Sequence, residues 1–236
     1  MSRFPLRYLP WMLRDLLLSQ GLVLLTIGVL GALILSRITP APLPSDAAPM
    51  VLGAVRQMSW PFILFCVASI VSADRLQGYY RTTFVRPVNP SAYYLSRFLL
   101  GGLMVGLLAP VMTAAMAIAV GPIPLSWSMI ARLEMLYLLL GGAVFLASTL
   151  TRADWLFAIL VFIVQSVLHG LSQNHVVLPA FWNFIAMILP PFHLTSLDQP
   201  MPPGPQLAHV LLYGLGFVLA ALAVLRWRPL GSGGRS

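Results

Sequence analysis

Residues 98–120 read FLLGGLMVGLLAPVMTAAMAIAV, an apolar run without a single charged side chain. A helix of about 20 apolar residues crosses the hydrocarbon core of a bilayer, so this run predicts a membrane-spanning helix. The whole chain has the same character, because 59% of its residues are hydrophobic and 8% are charged. An ordinary soluble domain carries roughly 25% charged residues. The sequence therefore predicts an all-α integral membrane protein.

Further apolar stretches lie on both sides of this run, at residues 16–35, 58–73, 133–150, 155–171 and 207–225. With residues 98–120 they predict six transmembrane helices in a single transmembrane domain, residues 1–236. The first stretch is longer than the ~7–15-residue apolar core of a cleaved signal, so it is expected to remain as an anchor.

A shorter apolar piece, residues 176–189, lies in the predicted outer loop, residues 172–206. Its helix would rise about 21 Å, which is less than the ~30 Å hydrocarbon core. Prolines at both ends keep it from lengthening. The piece predicts short re-entrant helices between the fifth and sixth spans.

The distribution of arginine predicts the topology. The chain has 14 basic residues, all of them arginine, and with the N-terminus inside only Arg37, Arg56 and Arg132 face out. Cytoplasmic loops of membrane proteins carry the excess of basic residues, so both termini are predicted to be cytoplasmic. Residues 1–15 mix aromatic side chains with arginines and predict an N-terminal interfacial helix; a simple anchor for the first span is the alternative.

Composition also excludes several classes of function. The net charge of +8 could indicate nucleic acid, but the arginines flank apolar runs, so a lipid membrane is the expected partner and nucleic acid is not. The single cysteine, Cys66, excludes an intrachain disulfide and a cysteine-based metal cluster. Without lysine the chain cannot contain a P-loop, so any ATP would be bound by another chain.

The polar residues of the later spans give no pattern typical of a catalytic or metal site. The four histidines lack the spacing of a metal or haem site, so no cofactor or metal is expected in this chain. Glu134 and Asp154 flank the fourth span, each without a second carboxylate, and the chain is not expected to be an enzyme. Gln165 and His169 share one face of the fifth span, where helix–helix hydrogen bonding and a place in a translocation pathway both remain open.

One dense polar segment separates the second and third spans. Residues 74–97 read DRLQGYYRTTFVRPVNPSAYYLSR. Gly78 gives the backbone freedom, and residues before Pro87 and Pro90 avoid the helical conformation, which predicts an extended turn. Ser91 is predicted to cap the helix that enters the third span. A segment fixed in this way on the cytoplasmic face suits contact with a soluble partner.

The segment resembles the membrane (permease) subunit of type-2 ABC exporters. The resemblance rests on Asp74, Gly78, Pro87, Tyr93 and Arg97, which keep the family's intervals of four, nine, six and four residues. Asp74 and Arg97 stand where the family more often has glutamate and lysine. Members of the family have six spans, cytoplasmic termini, and short re-entrant helices on the outer face.

The resemblance implies a permease subunit of an ATP-driven exporter in a bacterial cytoplasmic (inner) membrane. A second copy or a homologous permease would complete the pathway as a dimer, and ABC ATPase subunits carrying ATP and Mg would dock on residues 74–97 and the N-terminal segment. Arg81 and Arg86 would belong to this coupling loop, and Phe181 and Phe184 to the outer mouth of the pathway. The alternative is a non-transporting membrane anchor or assembly subunit of a larger complex. The substrate stays open among lipid, glycan, peptide, drug and cofactor.

Overall fold

A computed structural model describes residues 9–38, 47–68, 70–71, 74, 89–120, 126–151, 190–195, 202–227 and scattered positions between 154 and 184. The described residues are helical and include no strand. The α-helices are α1 Leu9–Leu16, α2 Leu22–Ile38, α3 Ala47–Val67, α4 Pro90–Gly106, α5 Leu108–Val120, α6 Trp127–Leu136, α7 Gly142–Leu150 and α8 Gly204–Trp227. A π-helical turn, Leu17–Gly21, joins α1 to α2, and a second, Tyr137–Gly141, joins α6 to α7. A 3₁₀ turn covers Phe192–Thr195.

Within the described residues, four helical stretches are long and apolar enough to cross a membrane: Pro10–Gly31, Pro90–Ala115, Trp127–Leu150 and Gly204–Trp227. They correspond to the first, third, fourth and sixth predicted spans, and they confirm the prediction of a helical membrane protein. The predicted second span falls on α3, of which only Met58–Val67 forms a shorter apolar helix. Most of the predicted fifth span lies outside the described residues, so the number six stays a prediction.

The helices extend beyond the apolar runs that predicted them. The first begins at Leu9 and continues without a break through the described part of the predicted interfacial segment, residues 9–15. Pro10 is compatible with this start, because a first-turn proline lacks only an N–H that has no helical partner. Met12 is buried on one side of the helix whereas Trp11 is exposed on the other. Residues 1–8 lie outside the described residues, and the interfacial position of 1–15 stays a prediction.

The N-terminus of α4 corrects the predicted cap. Ser91 was expected to cap this helix, but the cap is Asn89, whose Oδ1 accepts a hydrogen bond from the Ser91 backbone N–H at 3.0 Å. Asn89 is extended, with ψ of 115°, as the residue before a proline should be. Pro90 then occupies the first helical position, where its fixed φ suits the helix.

Small residues allow several of the helices to approach closely. Gly28 and Gly31 of α2 pack against α5, where a Cβ on either glycine would lie 3.1–3.2 Å from a side chain. Gly142 of α7 faces α8 so closely that its Cβ would lie 3.1 Å from the Gly214 carbonyl oxygen. Gly216 is different, because no heavy atom lies within 4 Å of the position its Cβ would take.

Gly214 and Gly216 therefore form a matched pair for a stability test on one helix. An added Cβ at Gly214 would lie 2.5 Å from Leu138 Cγ and 3.1 Å from the Leu138 carbonyl carbon, so backbone has to move. We expect Gly214→Ala to lower the free energy of unfolding by about 1–3 kcal/mol, the usual cost of overpacking. Gly216→Ala meets no steric conflict, so it should leave the free energy of unfolding unchanged or raise it by up to about 1 kcal/mol, because alanine is the better helix former. Thermal unfolding of both variants in detergent compares them, and equal midpoints would contradict the close packing of the second π-helical turn against α8.

Candidate coupling site

The residues at the two ends of the polar segment 74–97 lie together in the structure. Asp74 follows the end of α3, and its side chain is largely buried, with 11% of its surface exposed. Asp74 Oδ2 accepts a hydrogen bond from the Tyr94 hydroxyl at 3.1 Å and lies 3.5 Å from Arg97 Nη1. Burial raises the pKa of the Asp74 carboxyl, an effect that the Arg97 guanidinium and the Tyr94 hydroxyl partly offset. The carboxylate thus contacts α4 from the far end of the segment.

Arg97 makes a second link between the same two helices. Its Nη1 donates to the backbone carbonyl of Ile70 at 3.3 Å, just beyond the end of α3. The Ile70 N–H in turn donates to the Val67 carbonyl, so Ile70 belongs to a turn that closes the helix. Ile70 lies three residues beyond Val67, so Arg97 satisfies a carbonyl group of the turn that follows α3. It joins α3 and α4 whether or not Asp74 is charged.

The two tyrosines have different environments. Tyr94 is fully buried, and its ring meets the Tyr93 ring edge to face at 5.2 Å. Tyr93 lies one helical turn before Arg97, whose guanidinium carbon is 6.0 Å from the centroid of the Tyr93 ring. This distance is at the limit of a cation–π interaction. Three of the residues that carry the family resemblance, Asp74, Tyr93 and Arg97, are therefore brought together.

The sequence did not single out Tyr94, although it makes the shortest contact to Asp74 in this cluster. Which of two adjacent tyrosines faces Asp74 depends on the rotation of α4 about its axis, and packing sets that rotation. The spacing in the sequence did indicate that Tyr94 and Arg97 lie close together, because Tyr94 lies three residues before Arg97. Side chains three or four residues apart share one face of a helix.

The other predicted coupling residues are not placed by the structure. Gly78, Arg81, Arg86 and Pro87 lie outside the described residues. The first helix still approaches this region, because α1 packs against α4. The N-terminal helix and the ends of the segment 74–97 consequently lie on neighbouring parts of the molecule.

The predicted pathway residues are placed only in part. Gln165 and His169 lie outside the described residues. Phe181 and Phe184 are helical and exposed, at 65% and 62% of their surfaces. Each therefore leaves a large aromatic surface uncovered within this chain.

No group of three or more metal-ligating side chains occurs among the residues that the structure describes. Of the four histidines, His209 has a described environment, on α8 with its ring 5.0 Å from that of Tyr213. The expectation that the chain holds no metal or cofactor stays a prediction.

A second polar group lies deeper in the bundle than the sequence indicated. Glu134 was expected at the edge of the fourth span, but α6 begins at Trp127, so Glu134 lies two turns inside the helix. Its carboxylate faces α4 next to Gly102 and Gly106. Two features of the sequence could have indicated this position of Glu134. One is a glutamate beside an apolar run, and the other is the pair of glycines four residues apart in the preceding span.

Comparison of the chain with family models, curated proteins and solved structures gave no match. The contacts of Asp74, Tyr94 and Arg97 and the intervals of residues 74–97 are therefore what indicates a function for this candidate coupling site.

Proposed function

We propose that this chain is the permease subunit of an ATP-driven ABC exporter. The observation that supports the proposal most directly is the junction of Asp74 and Arg97, with the Tyr94 hydroxyl as a further contact to Asp74. The resemblance uses Asp74 and Arg97 as the first and last residues of a coupling loop. A loop whose two ends are joined moves α3 and α4 together when a partner displaces it.

The proposed partners are separate ABC ATPase subunits, which would bind ATP and Mg and dock on residues 74–97 and the N-terminal helix. The packing of α1 against α4 supports this arrangement, because one docked protein could then contact both. Closure of the ATPase pair around ATP would displace the loop. The contacts of Arg97 and Asp74 would pass this displacement to α3 and α4.

A second copy of the chain, or a homologous permease, would form the other half of the pathway. The exposed rings of Phe181 and Phe184 form uncovered apolar surface within the predicted outer loop. Large side chains of α8 are exposed in the same way, with Leu212 at 72% and Leu219 at 65%. Lipid or the second permease would cover these surfaces.

The same proposal includes six spans in a bacterial cytoplasmic membrane, with both termini in the cytoplasm and a re-entrant element between the last two spans. The 3₁₀ turn that follows this element packs against the bundle, which supports the re-entrant position of the element. Phe192 is buried, and its ring packs edge to face against Trp60 at 5.7 Å. Trp60 lies in the middle part of α3, seven residues from its end.

Purification of the tagged chain from its native membrane in a mild detergent tests the proposal. We expect a protein with a P-loop to copurify in stoichiometric amount and to hydrolyse ATP in a Mg-dependent manner. The reconstituted complex should also show a substrate-stimulated rate in a screen of lipids, glycans, peptides and drugs. A stable complex that contains no nucleotide-binding chain would contradict the proposal and favour the membrane anchor.

A further inference from the structure

A groove of about 270 Å³ opens on the side of the bundle between α4, α6 and α8. Apolar groups dominate its walls, which include Leu99, Leu103, Met135, Leu138 and Leu211. Leu99 and Leu103 are 60% and 54% exposed, so the groove faces the surroundings of the bundle rather than its interior. The Glu134 side chain also lines this groove. The groove volume lies just below the usual range for ligand pockets, about 300–1,000 Å³.

Two glycines of α4 make room for the carboxylate. A Cβ at Gly102 would lie 3.5 Å from Glu134 Oε2, and a Cβ at Gly106 would overlap Glu134 Oε1. The side chain therefore lies against the backbone of α4, in space that any other residue at Gly106 would fill. This close approach holds the carboxylate at a defined position in the wall of the groove.

Glu134 makes neither a hydrogen bond nor an ion pair with any residue in the part of the chain that the structure describes. It also lies well inside a candidate membrane span, about 10 Å of helix from Trp127 and about 24 Å from Leu150. A carboxylate in an apolar medium is costly unless a proton or a cation neutralises it. Ionisable groups at such positions generally serve a function.

We propose that this groove binds an amphiphilic cation, with its charged nitrogen against the Glu134 carboxylate and its apolar body along Leu99, Leu103 and Leu211. Charge complementarity selects a cation, and the apolar walls select an amphiphile rather than a metal ion or a hydrophilic amine. The groove volume of about 270 Å³ selects a single-chain amphiphile over a phospholipid, whose two acyl chains need more space. Binding requires this chain alone and does not depend on an ATPase partner.

Photolabelling of the full chain in phosphatidylcholine nanodiscs tests the proposal. The probe is a dodecyltrimethylammonium ion with a diazirine in its alkyl chain, and the matched uncharged probe is the corresponding dodecanol. Mass spectrometry of the labelled peptides should find the cationic probe on α4 and α8 around Leu103 and Leu211. Glu134→Gln should lower this labelling at least about tenfold, since removal of one partner from a buried charge pair is costly. Labelling by dodecanol should not change.

Two further variants separate charge from shape. Glu134→Asp keeps the carboxylate and should retain most of the cation labelling. Leu103→Trp fills the groove from an exposed position, so the protein should fold normally while labelling by both probes falls. Equal labelling of wild type and Glu134→Gln by the cationic probe would overturn the proposal, as would labelling that is confined to other surfaces of the chain.

Discussion

Asp74→Ala is expected to reduce ATP hydrolysis by the assembled complex about tenfold while the chain still inserts and binds its partner. The carboxylate joins the start of the segment 74–97 to α4 through Tyr94 and Arg97. Its removal leaves the Tyr94 hydroxyl without this acceptor, in a buried position, at a cost of about 1–3 kcal/mol. Because 1.4 kcal/mol corresponds to a factor of ten in an equilibrium constant, a loss of this size favours arrangements in which the loop no longer contacts α4 by about tenfold. ATPase assays on the purified complex measure the effect.

Conservative variants distinguish coupling from simple loss of structure. Asp74→Glu keeps the charge and matches the residue that type-2 ABC permeases more often have, so it should retain most of the activity. Arg97→Gln should resemble Asp74→Ala, because it removes the contacts to both Asp74 and the Ile70 carbonyl. Arg226→Gln, at the exposed end of α8, is the control for loss of an arginine. Normal turnover by Asp74→Ala and Arg97→Gln in intact complexes would mean that this cluster does not couple the ATPase to the membrane helices.

Apolar runs in the sequence predicted which parts of the chain are membrane helices, but not where those helices begin and end. The run at 133–150 marks the continuous apolar part of the span, whereas its helix begins at Trp127. Polar and charged residues do not interrupt a helix, so a helix continues past its apolar run until a cap or a proline stops it. This difference moved Glu134 from the predicted edge of the span to its interior. The same reasoning applies to α3, which begins at Ala47 rather than at residue 58.

The cluster of Asp74, Tyr93, Tyr94 and Arg97 was predictable in part as a set of residues but not as a geometry. The intervals between Asp74, Tyr93 and Arg97 identified members of the cluster, whereas the role of Tyr94 depends on how α4 is rotated. Rotation and register are set by contacts between helices that are distant in sequence. The two π-helical turns are a further example, because each shifts the register of its helix without a clear signal in composition.

Tyr137 occupies the centre of the contact between α4 and the second π-helical turn, and Tyr137→Ala is expected to destabilise the fold by about 3 kcal/mol. The ring is 97% covered and lies 4.9 Å from the Phe98 ring, and its hydroxyl donates to the Phe98 carbonyl. Replacement of a buried aromatic ring by alanine leaves a cavity and costs about 3–5 kcal/mol in soluble proteins. We expect the lower end here, because lipid provides no hydrophobic drive for helix association.

Tyr137→Phe separates the ring from the hydroxyl. It keeps the packing and removes the hydrogen bond, which is worth about 0.6 kcal/mol on average between membrane helices. If packing dominates, Tyr137→Phe should therefore lose much less stability than Tyr137→Ala. Phe65→Ala, on a side chain that is 48% exposed, controls for the loss of an aromatic ring from the surface. Thermal unfolding of the variants in one detergent ranks them.

A double-mutant cycle with Gly102 tests whether the ring is the reason for this glycine. A Cβ at Gly102 would lie 2.9 Å from Tyr137 Cε1, so Gly102→Ala alone should cost about 1–3 kcal/mol. In the Tyr137→Ala background the same methyl group enters the space that the ring has left, and Gly102→Ala should become neutral. The expected coupling of about 1–3 kcal/mol is typical of residues in direct contact. Additive losses would mean that Gly102 and Tyr137 act independently, and that the close approach of α4 to the π-helical turn does not hold the bundle together.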